Sequence, residues 1–273
     1  MAREVDPRAI VSETAELGQD VRIGPYAIVE DGTRLGDGCR IHAAAIIRRG
    51  TRLGCRNVVY SHAVLGGEPQ DFKYDATQES FVRIGDDNVF REGVTINRGT
   101  GPGSATTIGN SNFFMTCSHV GHNSVVGSNC IMTNGSALAG HVELGDRAIL
   151  SANVVIHQFC WVGEMVMSRG NAASAMHVPP YCMLGGVTEL NGLNKVGLRR
   201  APHLTDKDRA EIHEAYRLLY RSGLPATKAL AEMDARTDWG AAAGRFRDFV
   251  RRVITAEAPH NRGLCKDVTK HQR

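Results

Sequence analysis

VGSNCIMTNGSALAGHVELGD, residues 126–146, sets Val126, Met132, Leu138 and Leu144 on a strict six-residue step. The same step collects Ile108, Phe114 and Val120 before it, and Leu150, Ile156 and Val162 after it. An earlier run goes Leu17, Ile23, Val29, Leu35, Ile41, Ile47, Leu53, Val59 and Leu65 without a miss, and Ile84, Phe90 and Ile96 share the phase of the later one. A period of six matches neither the 3.6 residues of an α-helical turn nor a long sandwich strand. It fits short strands, alternating inward and outward, with a corner after each. Glycine often follows the key aliphatic, as in LGQDV, LGDGC and IGNSN, where it suits positive φ or a crowded turn. The reading is a parallel β-helix of hexapeptide repeats, three strands and 18 residues to a coil, with coils about 4.8 Å apart.

Two stretches interrupt the ladder. GGEPQDFKYDATQESFV, 66–82, reads as a one-residue shift of phase, because Leu65 and Ile84 are 19 apart rather than 18. RGTGPGSATT, 98–107, keeps phase but puts Pro102 at an aliphatic position, so it should loop out. Loops leaving a rigid scaffold are where function concentrates. The pattern fades after Val162, where Ser168 and Ser174 fall on the step, and VPPYC, 178–182, reads as a boundary because paired prolines end regular structure. Thr205 with Asp208 resembles a capping box ahead of an apolar stripe through Ile212, Ala215, Leu218 and Leu219. Further helices are expected over 225–234 and 240–257, then a loose tail. The domains expected are a β-helix over 1–190 and a smaller α-helical domain over 191–273.

Composition is that of a soluble globular chain, with 42% hydrophobic and 22% charged residues. From Arg199 onward there are 16 Lys and Arg against 10 Asp and Glu, and before it 16 against 19. That end is either a solvated helical surface or a dock for an acidic partner. Seven scattered cysteines form no CxxC, and with no signal peptide they read as reduced thiols of a cytoplasmic protein. No apolar run is long enough for a transmembrane segment. Mild charge and few aromatics argue against nucleic acid as a partner.

Coil arithmetic gathers the histidines. Adding 18 to His122 reaches Gly140, Asn123 reaches His141, and His122 plus 36 reaches Gln158 beside His157. His119, His122, His141 and His157 thus occupy three consecutive coils near one edge. A histidine near its ordinary pKa is a natural general base for a hydroxyl. A glycine directly above it offers an unobstructed N–H of the kind that stabilises an oxyanion. Base and donor together suggest acyl transfer. A histidine-ligated zinc site, as in β-helical carbonic anhydrases, is the competing chemistry, and a non-catalytic scaffold is a further alternative.

The segments GGEPQDFKY, REGVTINRGT, HVGHNSVVG, ALAGHVELGD, VVIHQFCWVG, VPPYC, NKVGLRR and AYRLLYRSG closely resemble the bacterial UDP-N-acetylglucosamine O-acyltransferases that begin lipid A synthesis. The resemblance implies a left-handed parallel β-helix followed by a helical domain, assembled as a homotrimer with active sites in clefts between subunits. It implies His122 as general base and Gly140 as oxyanion donor. Asp71, Lys73, His119, His141, His157 and Gln158 are implied to bind sugar, diphosphate or acyl groups, Asn194 and Arg200 the nucleotide, and Gly170 to set the depth of an acyl groove. The acyl donor is implied to ride on acyl carrier protein, with no other cofactor and no metal.

Four positions depart from the family pattern. Asn123 stands where Asp commonly follows the catalytic histidine, Asn97 where His is familiar, Arg169 where a small residue is usual, and Val196 where an acid is frequent. Loss of a carboxylate beside His122 and His141 removes an influence that raises imidazole pKa. N-acylation of a 3-amino UDP-sugar is therefore kept as an alternative to O-acylation.

Overall fold

The computed structural model describes residues 3–269. Strands of mostly two residues line up in three parallel sheets, each taking every third strand in chain order. They are the faces of a left-handed triangular β-helix. Face 1 starts with Glu4–Val5, face 2 with Ile10–Val11 and face 3 with Glu16–Leu17. Glu4 pairs with Arg22, Ile10 with Ile28 and Glu16 with Arg34, a register of 18 residues.

Two side chains per strand divide the labour. The second points inward, so Ile23, Val29, Leu35 and their successors form one continuous buried column. Two residues before each of these sits a small buried residue such as Ala27, Cys39 or Ala63. At one corner this position carries an asparagine ladder. Asn57 Oδ1 accepts from the N–H and amide of Asn88, and Asn88 Oδ1 accepts from those of Asn112. These buried amides are satisfied by their own stacking.

The glycines after the aliphatics answer to crowding rather than to positive φ. A Cβ on Gly36 would lie 2.5 Å from the carbonyl carbon of Gly54 in the next coil. Positive φ falls two residues later, usually on other residue types, as at Ser111, Cys117, Asn123, Asn129, His141, Arg147, Asn153 and Phe159. Because each corner requires it, this conformation belongs to the coil geometry and does not by itself mark function.

Both interruptions leave from the corner between faces 2 and 3. Val82 pairs with Thr51 and Val58 with Val89, a register of 31, so 66–82 is an excursion of 13 extra residues, not a slip of one. Thr106 pairs with Val82, a register of 24, so 98–107 loops out with six extra. The excursions also join, since Gly103 N–H donates to Glu79 O and Phe81 N–H to Ser104 O.

The ladder does not fade at Val162. Ser168 and Ser174 are fully buried inward residues, and Ser174 Oγ donates to Met176 O at 2.7 Å. VPPYC continues the helix instead of ending it. Val162 bridges Val178 and Met167 pairs with Met183, so this coil takes 16 residues. The true end is the strand Glu189–Leu193, which runs antiparallel to Cys182–Leu184.

Helices α1 (Lys195–Arg200), α2 (Asp206–Tyr220), α3 (Ala226–Ala235) and α4 (Ala241–Ile254) follow. Thr205 and Asp208 form the expected capping box on α2. Through Thr269 the tail is not loose, and residues 270–273 lie outside the described residues. Lys266–Asp267 adds a parallel strand to Glu189–Leu190, Cys265 is buried, and Asp267 accepts from Tyr216 Oη at 2.6 Å and pairs with Arg221 at 2.7 Å.

Candidate active site

The corner between faces 2 and 3 carries, coil after coil, the excursion 66–82, the excursion 98–107, His122 with Asn123, Gly140 with His141, and Gln158 with Phe159. His122 follows the inward Val120 by two residues, where the chain turns and the side chain lies along the corner. The imidazole is largely buried and lies against Gly140 of the next coil. A Cβ on Gly140 would fall 2.4 Å from His122 Cε1 and 2.5 Å from Nε2. Glycine here is a steric requirement of the histidine.

The Gly140 N–H has no acceptor among the described residues. At the corner between faces 3 and 1 the equivalent N–H groups are consumed by the next coil. Gln19 N–H donates to Asp37, Cys55 N–H to Asp86 and Ser128 N–H to Asp146. The His122 corner therefore combines an imidazole and a free backbone donor, the parts required of a base and an oxyanion site.

Nδ1 of His122 faces Asn123 Oδ1 at 2.9 Å. His141 meets His122 edge to face, with ring centroids 5.2 Å apart, and its other face stacks on Phe159 at 4.8 Å. Burial, and then the neighbouring His122 and His260, lower the His141 pKa, while Asp71 on the first excursion opposes them. That interaction brings Asp71 within electrostatic reach of the site. Its carboxylate also accepts the N–H of Lys73, whose side chain is exposed. His119 points outward from face 2 and shares a 2.7 Å hydrogen bond with Thr95. Burial and the adjacent His122 lower its pKa too. His119 and His141, both biased towards the neutral form, add little positive charge beside His122.

The base of the first excursion is fixed from below. Asn97 Nδ2 donates to Glu68 O at 2.7 Å, and Arg98 donates twice to Tyr74 Oη.

Not all the expected residues meet here. His157 is exposed and donates from Nδ1 to Gln158 O, one coil above Gly140. Gly170 lies on the corner between faces 1 and 2, across the width of face 2. Asn194 is buried and caps α1, with Oδ1 accepting from Gly197 N–H and Nδ2 donating to Met165 O. Arg200 is exposed at the end of α1. Within one chain these three stand apart from the histidines.

Comparison with known proteins gives a consistent family. A profile described as UDP N-acetylglucosamine O-acyltransferase, domain 2, matches residues 177–265. Hexapeptide-repeat profiles match 14–49 and 119–158. The chain is 46% identical over 249 residues to the acyl-[acyl-carrier-protein]–UDP-N-acetylglucosamine O-acyltransferase of Pseudomonas fluorescens, covering 90% of this chain and 96% of that one. This chain belongs to the UDP-N-acetylglucosamine O-acyltransferase family. Solved structures agree. The acyltransferase of Bacteroides fragilis superposes with a TM-score of 0.85 at 37% identity, covering 95% of this chain and 98% of that one. That of Francisella novicida gives 0.90 at 31%, covering 97% and 95%.

The structure also gives contacts to two residues whose part in the site sequence reading missed. Thr100, on the second excursion, bonds to Asn123. His260 packs edge to face on Phe159, and its Nδ1–H donates to the Phe159 carbonyl at 3.1 Å. Counting by 18 could find neither, since one lies in an excursion and the other in the tail. Among the described residues no group of three His, Cys, Asp or Glu side chains is arranged to hold a metal ion.

Proposed function

We propose that this acyltransferase moves a 3-hydroxyacyl chain from acyl carrier protein to the 3-hydroxyl of UDP-N-acetylglucosamine, the first step of lipid A synthesis. The observation that carries the chemistry is the His122 imidazole packed against Gly140, whose N–H has no acceptor among the described residues. His122 Nε2 takes the hydroxyl proton as the sugar oxygen attacks the thioester carbonyl. Gly140 N–H receives the charge that develops on the carbonyl oxygen. Collapse breaks the C–S bond, and the thiolate leaving with the carrier recovers the proton from His122. No resident cofactor enters, because the carrier's phosphopantetheine brings the acyl group already activated. Asp71, Lys73, His119, His141, His157 and Gln158 are assigned to hold sugar, diphosphate and acyl chain.

The working form is a homotrimer. The outward residues of face 2 are Ile10, Ile28, Ile46 and Val64 in the early coils and Ala137, Val155 and Ala173 beyond the histidines. Face 3 presents Glu16, Arg34, Arg52 and Arg83. A face so apolar suits burial against another copy, which would bring Gly170, Asn194 and Arg200 of one subunit towards the histidines of the next. No helix of the described residues is long and apolar enough to cross a membrane; acyl carrier protein and a UDP-sugar as substrates support a cytoplasmic site of action.

The test supplies purified protein with UDP-N-acetylglucosamine, its 3-amino analogue and a mixture of 3-hydroxyacyl carrier proteins, and identifies products by mass spectrometry. An ester of the 3-hydroxyl is expected. His122→Ala should lower kcat by at least about 100-fold with circular dichroism unchanged. Strong preference for the amine, or retained activity in His122→Ala, overturns the assignment.

A further inference from the structure

His122 has an amide for a neighbour, and an amide, unlike a carboxylate, has a wrong way round. Either oxygen of a carboxylate accepts a proton donor. An amide turned by 180° presents N–H instead, and would force the lone pair of His122 onto Nδ1.

Two donors from outside the coil decide the orientation. Thr100 gives Asn123 Oδ1 its backbone N–H at 3.1 Å and its hydroxyl at 2.9 Å. A backbone N–H can only donate, so the atom it faces is oxygen. The same Oδ1 lies 2.9 Å from His122 Nδ1, and it has only lone pairs to offer. The proton of the neutral imidazole therefore sits on Nδ1, which leaves the lone pair on Nε2, the atom packed against Gly140.

Thr100 is itself held by the structure of its excursion. Gly99 presses so closely on Ser104 that a Cβ would lie 2.2 Å from its hydroxyl. Ser104 Oγ closes on both the N–H and the carbonyl of Gly101. The excursion of one coil thus orients a side chain of the next.

We propose that Thr100 is a positioning residue of this site: by fixing the amide of Asn123 it holds His122 in the tautomer whose Nε2 is free to take a proton. The proposal rests on His122 being the general base.

The test combines a substrate-free measurement with kinetics. Protein labelled with 15N-histidine is examined by NMR above the histidine titration range, with His122 assigned by its loss in His122→Ala. The wild-type chain should show His122 protonated on Nδ1. Thr100→Val removes the hydroxyl and leaves the backbone N–H, so it should bring in a fraction of the Nε2–H form and lower kcat about fivefold with KM within about twofold, while Thr100→Ser, which keeps both donors, should behave as wild type. A double-mutant cycle isolates the amide effect. In an Asn123→Asp background either oxygen accepts, so Thr100→Val should cost less than about twofold there. An equal cost in both backgrounds, equal damage from Thr100→Ser, or an Nε2–H His122 in the wild type overturns the proposal. Because the tautomer needs no substrate, an Nδ1–H imidazole that Thr100→Val releases would uphold the relay even if acyl transfer to UDP-N-acetylglucosamine were not found.

Discussion

His177 shows how tightly single residues are constrained at this corner. Its Nδ1 accepts the Trp161 N–H at 2.9 Å, and its Nε2–H donates to His260 O at 2.7 Å. Both nitrogens are thus used by the neutral ring, and protonation would set a donor against the Trp161 N–H. Burial lowers its pKa, with only the His260 carbonyl opposing, and burial lowers those of His119 and His141 as well. Below about pH 6.5, the ordinary histidine value, the unfolded chain binds protons that the folded one refuses. Stability is therefore full above that pH and declines as pH falls towards the lowered folded values. Melting temperature should drop between pH 7 and pH 5, and His177→Gln should flatten the slope. Gly140 makes the complementary case for size. Gly140→Ala would drive its methyl into His122, so kcat should fall about 100-fold. Circular dichroism should not change, because Gly140 has no positive φ to lose.

Among the elements, the strand Lys266–Asp267 carries more than its length suggests. Asp267 is nearly fully buried on its side chain and gathers Tyr216, Arg221 and the Thr269 N–H, fastening α2 to the last strand of the β-helix. Asp267→Ala should cost about 2 kcal/mol, a loss typical of hydrogen bonds to a charged group, read as a lower urea midpoint. Nothing in CKDVT marks that strand, since two residues have no periodicity and its partner lies some 75 residues away in the chain. The six-step ladder, by contrast, was legible from Leu17 to Val162, because an inward column tolerates few polar residues. Legibility failed where spacing changed. The coil through VPPYC is two residues short, so its inward residues fall off the step, and the 13-residue excursion disguised itself as a single slip. His122 and Gly140 were readable because no insertion follows Ile108. Thr100 was not, because its contact with Asn123 arises from a loop conformation and not from repeat arithmetic.

For the molecule as a whole, the three faces have different fates. Face 3 is charged near the N-terminus and covered by α4 further on, where Arg252 pairs with Glu143 and lies 3.6 Å over the Trp161 ring. Face 2 is apolar on either side of Thr95 and His119 and open in one chain, with Val155 48% exposed. In the proposed trimer this face is covered, so Val155→Arg should give a monomer by analytical ultracentrifugation and cut specific activity by more than about tenfold, because a buried unpaired charge costs several kcal/mol. A fold of hydrogen-bonded coils is nearly one-dimensional, each layer answering only to the two beside it. The far end is sealed by the helical domain and its returning strand. At the near end Val5, the inward residue of the first strand, remains 42% exposed. Such a rod wears from one side. Thermal opening is expected to start from the coil of Val5 and to peel through the layers of Ile23, Ile41 and Val59 before it reaches the histidines, which keeps the chemistry deep in the stack behind a sacrificial margin.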